Sequence, residues 1–281
     1  MKNSSILLML NSETDDKYIE NFARVALNEN IHVSCFLLSA GVAMPPMIYG
    51  ASLYGTIDIS DNWQQLLNEA LAKQHKRVEK IEQILAQVGG SADVQSILCS
   101  PADTSDHIAR RAGVCDLAVL APSLRAPAQY FNEAAYGILY QSPIGLMANA
   151  MPNLNVKHVL IAWDGSHSAS SAVHRALPYL KEADEVTVAC FDPMTSRAGT
   201  GADPGADLAS WLSHHGCRVT VSQEPSGVKE IATCIQDRAR ELGADLVVMG
   251  AYGHSRLIQA VFGGTTRAML EQVELPILMA H

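Results

Sequence analysis

Short apolar runs alternate along the chain with longer stretches in which apolar residues recur every three to four positions. The clearest series lies in the second half. Runs at Val159–Trp163, Val186–Phe191, Arg218–Ser222, Leu246–Met249 and Ile277–Ala280 predict five strands. Between them, helical spacing predicts helices near Ser168–Leu180, Ala206–His215, Val228–Leu242 and Thr266–Val273. Ala169, Ala172, Val173, Ala176, Leu177 and Leu180 form one stripe; Val228, Ile231, Ala232, Ile235, Ala239 and Leu242 form another, closed by Gly243. Strands without polar alternation, separated by amphipathic helices, predict a parallel sheet covered on both faces.

The first half repeats the pattern. Ile6–Leu27 aligns without gaps on Val159–Leu180. Val114–Ser123 matches Gly243–Tyr252, and Ser142–Ala148 matches Leu275–His281. Three landmarks in one order imply a duplicated domain. The join, Asn149–Lys157, carries Pro152 and three asparagines, so we place the domains at 1–150 and 156–281. The first half also inserts a long helix, with Trp63, Leu66, Leu67, Leu71, Val78, Ile81, Ile84, Leu85 and Val88 largely on one side.

Composition narrows the function. Of 281 residues 48% are apolar and 17% charged, which supplies real cores. A net charge of −9 disfavours binding to nucleic-acid backbones. Six cysteines without a C-x-x-C pair fit reduced thiols in a reducing compartment. Met1–Asp16 lacks the apolar core of a signal peptide, and no run approaches the roughly 18 residues of a membrane helix. The expected location is the cytoplasm, with no membrane contact.

The candidate chemistry sits in "GAYGHSRLIQAVFGGTT", Gly250–Thr266. Open parallel sheets bind ligands beyond the carboxyl ends of their strands, where strand order reverses. Gly250 and Asp164 each fall at such an end. Gly250 and Gly253 permit a tight turn, and Gly263 and Gly264 lead into a helix whose free N–H groups favour an anion. Thr265 and Thr266 add hydroxyls, so the segment reads as a phosphate cradle.

This G-x-x-G-x9-G spacing resembles the motif of the universal stress protein family. "VLIAWDGS" resembles the family's opening strand, and "GADLVVMGAYGHS" its fourth strand and loop. The resemblance covers the chain as two copies, strong in the second and weak in the first. It implies two tandem open five-stranded parallel sheets of order 3-2-1-4-5 with helices on both faces, and ATP or AMP in the crevice. Carried over by position, Ala162, Trp163 and Phe191 lie near the base and Asp164 faces the ribose or phosphates. Met249 and Gly250 contact the nucleoside. Gly253, Gly263, Gly264, Thr265 and Thr266 surround the ribose and phosphates, and His254 is a further candidate there. Asp164 holds Mg²⁺ only if phosphate oxygens are present. Where the family has Ser or Thr after its third glycine, this chain has Gly264. In the first half Asn11 replaces the acid, Ala121 and Leu124 replace two glycines, and Pro122 and Pro127 remove donors.

The resulting expectation is a regulatory or chaperone-like stress protein, not an enzyme beyond slow ATP hydrolysis. Its last strands, Ile144–Ala148 and Ile277–Ala280, would meet in an intramolecular pseudo-dimer, with a homodimer also open. The rival readings are an interaction module without nucleotide and an adenylating enzyme on a related fold. Ser166 reads as a helix cap rather than part of a catalytic triad with Asp164 and His167.

Overall fold

The computed structural model describes residues 3–43, 61–151, 155–193, 203–251 and 264–281. In the first half β1 (Ser5–Asn11), β2 (His32–Ala40), β3 (Ala92–Cys99), β4 (Leu117–Leu120) and β5 (Gly145–Ala148) are interleaved with four helices. These are α1 (Asp16–Asn28), α2 (Asp61–Val88), α3 (Pro101–Ala112) and α4 (Ala128–Gln141). The second half carries β6 (His158–Ala162), α5 (His167–Glu182), β7 (Glu185–Phe191), α6 (Ala206–His214) and β8 (Val219–Glu224). It ends with α7 (Ile231–Leu242), β9 (Leu246–Gly250), α8 (Gly264–Glu271) and β10 (Ile277–Ala280).

The strands of the described residues form one sheet of ten, in the order β3-β2-β1-β4-β5-β10-β9-β6-β7-β8. Each half has the expected order, but the two do not stand as separate five-stranded sheets. β5 and β10 pair antiparallel and join them. An edge strand leaves a row of N–H and C=O groups without partners. Here both edges are four-residue apolar strands, GLMA and ILMA, and pairing them buries every residue of both. The register sets Leu146 opposite Met279. It also sets Met147 opposite Leu278, which hold matching places in the two half-sheets, as a local two-fold axis between similar halves requires.

Successive strand residues point to opposite faces, so each apolar run feeds two cores. Val159 and Ile161 of β6 pack on one face with α1, α5 and the end of α2, whereas Leu160 packs on the other with α3, α4 and α7. This explains the lack of polar alternation in the strands.

Helix α2 departs from the single apolar side expected. Ile81 and Leu85 are buried against the sheet, but Leu66 and Leu71 are 47% and 45% exposed. The helix is longer than the strands beneath it, so its first half extends past their carboxyl ends. Asp16 ties it to α1, accepting from Arg77 at 2.6 Å and from Lys80, while Arg77 also reaches the Thr14 carbonyl. The Lys80 hydrogen bond, then that of Arg77, hold the Asp16 carboxyl below its ordinary 3.8. A depressed folded-state value means stability present above 3.8 and lost as pH falls through the lower folded value. Thermal melts should therefore show Asp16→Asn less stable than wild type at pH 7, with the gap closing in acid below about 4. A gap that persists unchanged in acid would contradict the assignment.

Candidate functional site

Strand order reverses between β6 and β9, which lie side by side with Ala162 opposite Met249. Just past β6 the Trp163 N–H donates to the Ala189 carbonyl at 2.9 Å, keeping the chain against β7. Asp164 is exposed, and its carboxylate accepts the Ser166 N–H at 2.9 Å. Gly165, at φ 75, makes the left-handed turn. Ser166 then caps α5, its hydroxyl accepting the Ala169 N–H at 3.1 Å. The cap expected of Ser166 is present.

Gly250 ends β9, and its surroundings explain the glycine. A Cβ there would lie 2.5 Å from the Ala169 nitrogen and 2.7 Å from the Ser168 carbonyl carbon. The strand tip thus runs directly against the first turn of α5. Close packing against this helix is one requirement for glycine at this point. Beyond it the Ala251 N–H bonds the Ala280 carbonyl at 2.8 Å, and His281 Nδ1 contacts the Ala251 carbonyl at 3.0 Å.

A crossover helix between parallel strands runs antiparallel to them, so α8 begins on the carboxyl side of the sheet. Its described part begins at Gly264. Gly264 is exposed, and a Cβ there would meet nothing within 4 Å among the described residues. Thr265 is half-buried. Thr266 is buried on the inward side of α8 with Met269 and Leu270, so it belongs to the packed face rather than to an open rim. Ala162, Phe191 and Met249 share one sheet face, whereas Trp163 packs on the opposite one. A base lying on Ala162 and Phe191 would not also lie on Trp163. Gly253, His254 and Gly263 lie outside the described residues. Among the described residues no group of three or more His, Cys, Asp or Glu side chains is placed to hold a metal ion, and no helix is long and apolar enough to cross a membrane.

In the first half the equivalent reversal, between β1 and β4, is bridged by side chains. Asn11 Nδ2 donates to the Ser123 carbonyl at 2.9 Å, and the Thr14 and Ser123 hydroxyls meet at 2.7 Å. Pro122–Arg125 forms a tight 3-10 turn at the positions that match Ala251–His254 of the second half. No sequence motif marks what Arg125 does. Its guanidinium crosses to the second half, donating to the Leu270 carbonyl, to the Gln272 carbonyl at 3.1 Å and to Asn149 Oδ1 at 2.7 Å. It also lies 5.0 Å from the centre of the Phe131 ring. The carbonyls belong to the end and exit of α8, where the helix leaves acceptors without partners. Burial lowers the Arg125 pKa from its ordinary value, and guanidinium groups remain charged in proteins.

Comparison with known proteins agrees with this architecture. Residues 155–281 match the model of the universal stress protein family. The whole chain resembles a protein of Pseudomonas aeruginosa UCBPP-PA14 put forward as a universal stress protein. Identity is 14%, covering 99% of this chain and 92% of that one, at a TM-score of 0.55. A functionally unknown protein of Pseudomonas aeruginosa PAO1 is 15% identical over 99% and 92%, at a TM-score of 0.54. At such identities the likeness shows a shared fold and no more. No curated protein matches the sequence.

Proposed function

We propose that this chain, whose residues 155–281 carry a universal stress protein domain, acts in a stress response and binds an adenine nucleotide, ATP or AMP, in its second half. The observation that carries the reading is the reversal point itself. The tips of β6 and β9 lie side by side there, with Asp164 exposed past one and the first turn of α8 following the other. Asp164 supplies acceptors for ribose hydroxyls. The first-turn N–H groups of α8, Gly264 included, would serve as donors to an anion. Ala162 and Phe191 offer a shared apolar face for the base. The nucleotide works as a regulatory ligand that shifts a conformational equilibrium, not as the substrate of a fast reaction. Where phosphates are present, Mg²⁺ would bind through their oxygens together with Asp164. The cytoplasm remains the expected location.

One observation favours a second reading, an interaction module without nucleotide. Gly250 is closed off by α5, and Thr266 faces the core. The variant Gly264→Ser separates the two. No described residue lies within 4 Å of the added Cβ, and the change brings a hydroxyl to the first described turn of α8. Calorimetry should show ATP binding about three- to tenfold more tightly than to wild type, the worth of one added hydrogen bond. If neither protein takes ATP or AMP at millimolar concentration, the interaction module stands instead.

A further inference from the structure

Three side chains of complementary chemistry meet at the amino ends of β2 and β3, the end of the first half-sheet opposite its crevice. β2 and β3 run parallel, with Val33 beside Ala92. Ser91 and Asp93 flank Ala92, and side chains two apart in an extended chain share a face. His32 bridges them: Nδ1 lies 2.8 Å from the Ser91 hydroxyl and Nε2 2.9 Å from Asp93 Oδ1. The other carboxylate oxygen, Oδ2, accepts from Arg111 of α3, whose Nε donates to the buried Ser34 hydroxyl at 2.7 Å. A nucleophile, a base and an acid thus stand in series, with the acid fixed from behind.

The shared fold does not require this set. In the second half Val186 stands beside Val219 as Val33 does beside Ala92. The places of His32, Ser91 and Asp93 are taken there by Glu185, Arg218 and Thr220, and Thr220 donates to Glu185 at 3.4 Å. The series in the first half also borders an open hollow of about 430 Å³, which Ser91 and His32 both line. Leu27 gives the hollow an apolar patch. Asn3 and Asn30, joined by a hydrogen bond between their amides, bring N–H donors to it. Asp116 also lines it and accepts the Ser5 N–H at 2.7 Å. That carboxylate disfavours an anionic ligand, so a small neutral molecule with one polar, polarisable group fits best.

We propose that Ser91 is an acyl-accepting nucleophile and that this hollow slowly hydrolyses small neutral carboxylic esters. With Asp93 accepting from Nε2–H, His32 Nδ1 carries no proton and accepts from the Ser91 hydroxyl. Ser91 Oγ attacks the ester carbonyl carbon as its proton passes to Nδ1. The carbonyl electron pair moves onto oxygen, where the asparagine amides supply donors. As that pair returns, the bond to the alcohol oxygen breaks, and the alcohol oxygen takes the proton from Nδ1. Water then attacks the acyl-serine, giving one proton to Nδ1, which passes it to Ser91 Oγ as that oxygen leaves. The sum is ester plus water to acid plus alcohol, with the serine regenerated.

An alkyl fluorophosphonate, which reacts with a serine that a neighbouring base activates, is the probe for the full chain, with the label located by peptide mass spectrometry. Wild type should take up one label per chain, at Ser91. His32→Gln should slow labelling about a hundredfold, the low end of what a positioned base contributes. Ser91→Ala should remove the label and slow hydrolysis of p-nitrophenyl acetate about tenfold or more, His32 alone supplying the remainder. Ser91 is exposed, so this variant should melt like wild type. A cluster that served structure alone would take up no label. The proposal is overturned if wild type is not labelled at Ser91, if His32→Gln is labelled as fast, or if Ser91→Ala hydrolyses the ester like wild type.

Discussion

Gly250→Ala should destabilise the protein by about 2–3 kcal/mol, the cost of forcing a methyl group into a closed contact. The new Cβ would sit 2.5 Å from the Ala169 nitrogen, 2.7 Å from the Ser168 carbonyl carbon and 2.8 Å from the Ser168 hydroxyl. The first two are backbone atoms of a capped helix turn and cannot rotate away. β9 cannot yield easily either, since it is held by β6 on one side and β10 on the other. Gly264→Ala is the matched control. It makes the same chemical change at an exposed position of α8 where no described residue lies within 4 Å, and should be neutral or stabilising by up to about 1 kcal/mol. Urea denaturation of the two variants should thus give shifts of different size, with only Gly250→Ala strongly destabilised. Equal shifts would show that the contact with α5 is not what requires glycine.

Arg125→Met should cost about 2–3 kcal/mol, in the range for hydrogen bonds made by a charged donor. The guanidinium is a single fork reaching two carbonyls beyond the join and one asparagine beside it. Methionine keeps much of the apolar stem on Phe131 but leaves the Leu270 carbonyl without this donor. Asn149 still donates to the Gln272 and Leu275 carbonyls at 3.0 Å, which limits the damage. Arg125→Lys should recover little, because an ammonium cannot span three acceptors in the planar geometry that the fork supplies. Hydrogen exchange gives the specific readout. In Arg125→Met, protection should fall first at the end of α8 and in β10, and not in β2 or β3. Loss spread evenly over both halves would contradict a clamp at the junction.

The apolar runs were enough to locate the strands, because a sheet covered on both faces needs apolar residues at consecutive positions. The runs alone did not show that the two edges would pair, since GLMA and ILMA look the same whether they end a sheet or join two; the family resemblance set Ile144–Ala148 against Ile277–Ala280, and β5 and β10 do pair. Helical spacing also extended too far at one end. Val228 continues the stripe of α7 in sequence, yet the helix begins at Ile231 and Val228 is fully exposed. In α2 the periodicity is real along the helix, but only its second half has a sheet beneath it. The site was legible as a place more than as a set of contacts. A glycine at a strand end carries no label for what comes close to it, and at Gly250 the neighbour is a helix. Arg125 left no pattern at all, because a single long side chain crossing a junction has no periodicity to betray it.

Backbone amide shifts during an ATP titration test the proposed function most directly, since they report where the nucleotide binds as well as whether it does. Saturating shifts should appear at Ala162–Gly165, at Gly250 and Ala251, and at Gly264–Thr266, while β1 to β3 remain still. No shifts at millimolar ATP, or shifts confined to the first half, would contradict a nucleotide site at the tips of β6 and β9.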